Sequence, residues 1–196
     1  MTALDERVRA VLERLEREDA DERRRGVPAA DRARQVERTT GELLFALAAP
    51  HRDVAVLEIG GSRGYSTIWL AAGARIGGGR VVSLENDPRK LEARRRNVEE
   101  AGLAAVTELV DADAFEAIPE LPATFDLCFL DAEKDDYERL FELARAKLRP
   151  GSVVVADNVL SHQETLGAYS RARQSDATLV SVTAPLDRGL EVTVVL

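Results

Sequence analysis

Three oxygen-bearing side chains follow two apolar segments in the second half of the chain. Asp131 ends the segment 124–130, and Asp157 and Asn158 follow the segment 152–156. If both segments are parallel strands, their carboxyl ends meet at one edge of the sheet, where open α/β folds bind ligands. Two carboxylates and an amide suit a hard cation such as Mg²⁺, Mn²⁺ or Ca²⁺. The plainer alternatives are that Asp131 caps a helix and that Asp157-Asn158 forms a turn.

Lys134 follows Asp131 by three residues and could exchange a proton there. Only three of the 27 basic residues are Lys, at positions 90, 134 and 147, and the rest are Arg. Arg does not release its proton, whereas Lys does when its pKa is lowered. A neighbouring cation lowers that pKa because it disfavours the ammonium. The pattern therefore indicates a general base at Lys134, with a solvated lysine as the plainer alternative.

A glycine-rich turn follows an earlier apolar segment. Residues 54–66, VAVLEIGGSRGYS, indicate a strand, a tight turn and a helix start. Gly60 and Gly64 would let the backbone approach a ligand, and the helix N–H groups would face it. The dinucleotide pattern G-x-G-x-x-G fails because Ser62 stands at its second glycine. The pattern E-x-G-x-x-x-G from Glu58 matches the first motif of S-adenosylmethionine-dependent methyltransferases, although a simple turn would also explain it.

Glu85 ends the next apolar segment, 80–85, and lies 21 residues after Gly64. An acid at this place accepts hydrogen bonds from ribose hydroxyls. NAD and S-adenosylmethionine both carry a ribose, so Glu85 indicates a nucleoside without choosing between them. A solvated acid at a strand end is the alternative.

Strands and helices alternate from residue 54 onward, which predicts a doubly wound α/β fold. We expect a seven-stranded Rossmann-like sheet, mostly parallel, with an antiparallel hairpin at one edge. The predicted strands are 54–59, 80–85, 105–110, 124–130, 152–156, 177–184 and 190–196. Helices are predicted at 87–101, after Asp113, and at 135–148.

Two helices precede the sheet. Apolar residues on one face of 3–18 predict an amphipathic helix, which packs on the body of the protein, forms a dimer or covers a substrate site. Residues 19–28 indicate a charged linker, and 29–48 a second helix with a break within 35–41. We expect one domain over 1–196, with helices in 1–50 and the core in 51–196.

Composition narrows the class of protein. The net charge of −8 over 196 residues disfavours nucleic acid as a partner. A lone Cys128 excludes an internal disulfide and suits a reducing compartment. No apolar stretch has the length of a membrane span, and the N-terminus lacks a signal-peptide core. A cytoplasmic protein without a membrane partner is the expectation.

Together, these segments resemble the cation-dependent O-methyltransferases, which include catechol and caffeoyl-CoA O-methyltransferases. The resemblance covers about 35–196, and its motifs are the turn at 56–66, SLE at 83–85, LDAEK at 130–134, LRPG to DNVL at 148–160, and RGLE at 188–191. It implies S-adenosylmethionine as methyl donor, Mg²⁺ (or Mn²⁺ or Ca²⁺) as cofactor, and a homodimer. The implied acceptor is a small aromatic molecule with vicinal hydroxyls, methylated by in-line transfer.

The resemblance also assigns roles to residues. Asp131, Asp157 and Asn158 would hold the metal, and Lys134 would be the base. The acceptor would contact Lys134, Asn158 and Glu191, the last binding the hydroxyl that is not methylated. Cofactor contacts are implied for Val36, Glu58, Gly60, Gly64, Ser66, Glu85, Asp113, Ala114 and Asp131.

Two departures from the family pattern leave the acceptor open. The usual Asp-Gly before the family's acid is Arg188-Gly189 here, and the segment after Asn158 carries His162 without a familiar substrate motif. Two other functions also remain open. One is a metal-independent methyltransferase for another nucleophile, and the other is a non-catalytic protein that binds S-adenosylmethionine. Metal binding and turnover separate them.

Overall fold

The computed structural model of the protein describes residues 4–122 and 124–196. Seven strands form one sheet in the order β3-β2-β1-β4-β5-β7-β6. Neighbours among β1 to β5 pair in parallel, whereas β7 runs antiparallel to both β5 and β6. The strands are β1 (Ala55–Ile59), β2 (Arg80–Glu85), β3 (Thr107–Asp111), β4 (Phe125–Leu130), β5 (Leu148–Ala156), β6 (Leu179–Ala184) and β7 (Leu190–Val195). The predicted fold class, with its antiparallel edge hairpin, is confirmed.

Helices cover both faces of the sheet. They are α1 (Glu6–Arg24), α2 (Arg38–Ala48), α3 (Tyr65–Ile76), α4 (Pro88–Glu100), α5 (Ala114–Glu120), α6 (Tyr137–Arg145) and α7 (Gln163–Ser175). Within the described ranges, no helix is both long and apolar enough to cross a membrane. Because helices pack on both faces, the sheet has an apolar layer on each side, as a parallel sheet requires.

Alternate strand residues supply the two apolar layers, because successive side chains point to opposite faces. Val56 belongs to the layer under α1, α2 and α3, and Leu57 to the layer under α6 and α7. Cys128, in β4, is fully buried in the second layer. Burial raises the pKa of its thiol to about 12, so the group stays protonated.

The first helix is longer than the sequence predicts. Residues 19–24, which we expect to be part of a linker, complete α1. The charged residues there pair along the helix: Arg23 lies 2.6 Å from Asp19 and Arg24 lies 2.5 Å from Asp21. Such i,i+3 and i,i+4 pairs stabilise a helix, so this charge run continues α1 rather than ending it. Ala3, the first residue of the predicted helix, lies outside the described residues.

The apolar face of α1 is buried within the protein. Val8, Val11, Leu12 and Leu15 join the core layer that α3 also covers. Of the three uses predicted for this face, packing on the body of the protein accounts for it. The face is not available to a partner subunit.

The helix predicted over 29–48 is wrong in its first half, although a break is present within 35–41 as predicted, since residues 35–37 are not helical. A 3-10 turn spans Ala29–Asp31, and the α-helix begins only at Arg38. The segment between them is held by other elements, because the Ala33 N–H donates to Glu22 and the Ala33 carbonyl accepts from Ser62 Oγ. These tertiary bonds replace the local bonds that a helix would need.

The boundary between α6 and β5 also differs from the prediction. The helix ends at Arg145 rather than 148, and the strand begins at Leu148 rather than 152. Ser152 explains the early start, since its hydroxyl accepts from Arg149 N and donates to the Phe125 carbonyl. The strand thus continues through Pro150 and Gly151, with a register shift opposite the start of β4.

Candidate active site

The glycine turn lies between the ends of β2 and β4. Gly60 and Gly61 donate to the Leu84 carbonyl at 3.0 and 2.9 Å. Gly60 has a φ of +97°, and a Cβ there would lie 2.1 Å from the Asp131 carbonyl oxygen. Only glycine fits this approach, so the turn brings backbone directly beside the end of β4.

Glu85 holds the same turn in place through hydrogen bonds to backbone N–H groups. Its carboxylate accepts from Ser62 N at 2.7 Å, Asn86 N at 3.0 Å and Asp87 N at 2.9 Å. The residue is buried and also lines the main cavity. The alternative of a solvated strand-end acid is therefore wrong.

Glu58 lies in β1, two residues before Gly60, with its side chain inside the protein. Its carboxylate is fully buried and accepts from Thr67 Oγ1 at 2.5 Å and Ser83 Oγ at 2.6 Å. Burial raises the pKa of Glu58 above its ordinary value, and the neighbouring hydroxyl donors oppose that rise. Its Oε1 atom has no partner among the described residues. Glu58 supports the turn but does not line a cavity, so its predicted cofactor contact stays a prediction.

Arg94 completes the buried support and was not foreseen from the sequence. Its guanidinium is fully buried and donates to the Ser83 carbonyl at 3.0 Å and to Asp111 Oδ1 at 2.7 Å. It joins β2 to β3 below the turn. Because it stands in a run of three arginines on α4, the sequence gives no sign of which one is buried.

The strand ends surround a cavity of about 700 Å³. A pocket of about 20 Å³ adjoins it at the turn. Of the predicted site residues, those lining the large cavity are Gly60, Glu85, Asp113, Ala114, Asp131, Lys134 and Asn158. Val36 and Ser66 line the small pocket. Glu58, Gly64, Asp157 and Glu191 line neither.

Asp131 and Asp157 end adjacent strands. Asp131 N donates to the Ile59 carbonyl and Asp157 N to the Leu130 carbonyl, each at 3.0 Å, which continues the ladders of the sheet. Burial raises the pKa of Asp157 to about 6, and the nearby charge of Asp131 adds to the rise. Lys134 forms an ion pair with Asp131, whereas no Lys, Arg or His among the described residues forms one with Asp157. This electrostatic feature, with the all-oxygen donor set, fits a hard divalent cation.

Asn158 extends this cluster into the cavity. Its φ is +69°, in the left-handed region that Asn tolerates. Its backbone N–H donates to Asp157 Oδ1 at 2.7 Å, and its side chain lines the large cavity. The predicted turn is present, and it is compatible with a ligand role for the amide.

Lys134 is enclosed rather than solvated, with a side chain 18% exposed. Its Nζ donates to Asp131 Oδ1 at 2.8 Å, to the Ala132 carbonyl at 2.9 Å and to Tyr137 Oη at 3.0 Å. The Tyr137 hydroxyl in turn donates to the Asp157 carbonyl at 3.0 Å. Tyr137 thus links Lys134 to the end of β5, a role that the sequence analysis missed.

Glu191 lines neither cavity, so its predicted contact with the acceptor stays a prediction. Its carboxylate is fully buried and accepts from Ser181 and Thr183 at 2.6 Å each, and from Gln174 Nε2 at 3.0 Å. These partners lie on β6 and α7. The strand places the Glu191 side chain on the face covered by α7, away from the cavity wall.

Basic side chains line the same cavity as Asp131 and Asn158. Arg34 lies 3.1 Å from Glu133, and Arg188 lies 3.7 Å from Glu37. His162 follows Asn158 by one helical turn and also lines the cavity, with Nδ1 3.0 Å from Ser161 Oγ. The sequence marks Arg188 and His162 only as departures from a family pattern.

Known proteins are similar to this chain in sequence and in fold. The sequence profile of a methyltransferase domain family matches residues 57–159. A catechol O-methyltransferase of Niastella koreensis is 34% identical over 81% of this chain and 74% of its own length. A catechol O-methyltransferase of Mycobacterium tuberculosis is 39% identical over 74% of this chain and 64% of its own length.

Solved structures agree with these sequence relatives. The O-methyltransferase from Bacillus cereus, crystallised in complex with SAH, superposes with a TM-score of 0.81. It is 27% identical and covers 95% of this chain and 91% of its own. The glycine turn, the acid at the end of β2 and the oxygen cluster at the ends of β4 and β5 are thus found in a chain that belongs to the methyltransferase domain family, among its O-methyltransferases.

Proposed function

We propose that this protein transfers a methyl group from S-adenosylmethionine to one hydroxyl of a small catechol-like molecule, with the help of a divalent cation. The proposal depends on one observation above all. Asp131 and Asn158 line the cavity beside Lys134 and the glycine turn, and the buried Asp157 carboxylate lies at the end of β5. The names of the sequence relatives support the acceptor class.

The turn and the acids around it suit the methyl donor. Glu85 and Asp113 line the wall at the ends of β2 and β3, where an acid can accept from ribose or base donors. The cradle at Gly60 admits no Cβ. Val36 and Ser66 flank the adjoining pocket. These residues bind and orient the donor, which supplies an electrophilic methyl carbon.

The cluster on the other side suits the acceptor. A divalent cation held by Asp131, Asp157 and Asn158 would supply Lewis acidity towards the acceptor hydroxyls. The acceptor oxygen bonds to the methyl carbon as the carbon–sulfur bond breaks, and the hydroxyl proton must leave. Lys134 would accept that proton in its neutral amine form, with Tyr137 and Asp131 fixing the position of its Nζ.

Turnover with and without metal tests the proposal. Purified protein with S-adenosylmethionine and Mg²⁺ should methylate catechol, and EDTA should abolish the reaction until Mg²⁺ is restored. Phenol is the matched acceptor, because it has one hydroxyl and cannot chelate. Full activity in EDTA, or equal turnover of phenol and catechol, would refute metal-assisted transfer.

A metal-independent methyltransferase is the second candidate, and two observations favour it. Lys134 already compensates the Asp131 charge at 2.8 Å. Within residues 4–122 and 124–196, no group of three or more His, Cys, Asp or Glu side chains is arranged to hold a metal, so the proposed set depends on the Asn158 amide. The EDTA experiment decides between the two candidates.

We also propose a homodimer in a reducing, cytoplasmic setting. Since the α1 face is buried, the support now comes from β6, an edge strand that exposes Val180 and Val182. The reduced, buried Cys128 thiol supports the compartment. Light scattering should give twice the chain mass of 21.4 kDa. A Val182→Lys variant that stays dimeric would exclude β6 as the interface.

A further inference from the structure

The turn that carries Arg188 is held rigidly. Asp187, with a φ of +51°, accepts from Thr39 Oγ1 at 2.5 Å and from Thr40 N at 3.0 Å at the start of α2. The Arg188 carbonyl accepts from Leu160 N and Ser161 N, each at 3.0 Å. The turn between β6 and β7 is therefore bound both to α2 and to the loop after Asn158.

This anchoring brings Arg188 to the acceptor side of the cavity. Asn158, His162 and Arg188 all line its wall. The Arg188 backbone is bonded to residues only two and three positions after Asn158. A molecule whose hydroxyls face Asn158 and Lys134 therefore lies within the part of the cavity that Arg188 borders.

The Arg188 guanidinium keeps its hydrogen-bonding capacity. No described residue accepts a hydrogen bond from it, and its ion-pair contact is with Glu37 Oε1 at 3.7 Å. Glu37 is 52% exposed, so this loose pair contributes little stability. A guanidinium presents a planar fork of donors that matches a carboxylate.

Three acids on the cavity wall already have hydrogen-bonded partners. Asp131 is bonded to Lys134, Glu133 to Arg34, and Glu85 to three backbone N–H groups. A carboxylate brought in by a ligand would therefore compete for Arg188 with the loose contact to Glu37.

We propose that Arg188 selects acceptors that carry a carboxylate, such as dihydroxybenzoate or dihydroxycinnamate, by pairing with that carboxylate while the vicinal hydroxyls face Asn158 and Lys134. The inference rests on the proposed O-methyl transfer and adds the charge of the substrate. His162 lines the same cavity and adds a polar ring to its wall.

Two substitutions should move the preference in opposite directions. The measured quantity is kcat/KM for 3,4-dihydroxybenzoate divided by kcat/KM for catechol, with Mg²⁺ present. Arg188→Gln should lower this ratio by about tenfold, the size expected for a lost hydrogen bond between charged groups, chiefly through KM. Glu37→Gln should raise it, because the competing carboxylate is removed.

The matched control is Arg171→Gln, which removes an exposed arginine of α7 outside the cavity wall and should leave the ratio unchanged. Arg188→Glu should reverse the preference towards dopamine, whose amine is positively charged. A mere loss of folding cannot produce these opposite shifts.

The outcomes separate this inference from the proposed function. Wild-type turnover of both acceptors, with a ratio that neither Arg188→Gln nor Glu37→Gln changes, overturns the role of Arg188 alone. Failure of the wild type to methylate either acceptor overturns the proposed function together with this inference.

Discussion

The two sides of the cavity are built in different ways. On the donor side, at the ends of β1 to β3, the ligand would meet backbone and carboxylates already fixed by backbone N–H groups, as at Gly60 and Glu85. On the acceptor side, residues from three separate segments converge: Lys134, Asn158 and Arg188.

Binding on the donor side thus depends on backbone geometry, whereas selectivity on the acceptor side depends on side chains. Backbone geometry at the glycine turn tolerates little change, because a Cβ at Gly60 would collide with the Asp131 carbonyl. Side chains on loops can be exchanged without disturbing the sheet. We therefore expect substitutions on the acceptor side to alter turnover and selectivity, and those on the donor side to alter cofactor binding and stability.

The largest effect should come from Asp157→Asn on the acceptor side. Loss of a metal ligand should lower kcat/KM by about 10³-fold, equivalent to several kcal/mol of transition-state stabilisation. The same variant should raise the melting temperature of the metal-free protein, because it removes a buried charge near Asp131. SAH affinity should stay within a factor of about three, since Asp157 lies outside the donor wall.

Asp135→Asn is the control for that experiment, because Asp135 is an exposed acid in the turn after the neighbouring strand, β4. Calorimetry with SAH and a melting curve complete the comparison. Loss of SAH binding in Asp157→Asn would contradict the proposal that donor and acceptor bind to separate sides of the cavity.

The next largest effect should come from Lys134→Ala. A positioned general base contributes about 10²–10⁴-fold, so the single-turnover rate should fall within that range while SAH still binds. Lys134→Arg should not restore the rate, because Arg does not release its proton. An active Lys134→Arg enzyme would reduce the side chain to a counter-ion of Asp131.

Glu85→Ala tests the donor side. Its expected effect is smaller and falls on cofactor binding rather than on turnover. Loss of a buried hydrogen-bonded carboxylate should weaken SAH binding by about 1–3 kcal/mol. The turn should also loosen, because Ser62 N and Asp87 N lose their acceptor. Glu108→Ala removes an exposed acid of β3 and is the control. Unchanged SAH affinity in calorimetry would exclude Glu85 from the donor site.

The smallest effect should come from Asp187→Asn, which weakens the bond between the hairpin turn and α2. Loss of the charged cap should cost about 1 kcal/mol in the free energy of unfolding by urea. Asn keeps the left-handed backbone accessible, so strain does not confuse the result. Asp53→Asn is matched, since Asp53 has the same φ of +51° and is exposed. Equal stability of the two variants would contradict the capping role.

Features that depend on local sequence were easier to predict than features that depend on long-range contacts. The fold class and the resemblance to O-methyltransferases are confirmed, because strand alternation and the glycine turn are local patterns. At position 60, for example, glycine is required by the positive φ and by the close approach of the Asp131 carbonyl oxygen. Arg188 becomes meaningful only when β7 pairs with β5 and brings its turn to the loop after Asn158.

Other differences between expectation and structure have equally physical causes. Residues 19–24 resemble a linker by composition, but ion pairs along the helix hold them in α1. Glu191 matches a family position, yet the side-chain alternation of β7 directs it towards Gln174 and β6. Neither outcome can be read from residue types alone, because each depends on which partners the folded chain supplies.

The buried thiol of Cys128 gives the protein a built-in reporter of sheet opening. It is the single cysteine of the chain and lies in β4, between β1 and β5, with no exposed surface. A thiol held protonated and enclosed cannot react with alkylating dyes until the surrounding strands separate. The rate of dye labelling would therefore record how often the centre of the sheet opens, at one known position and without any engineered label.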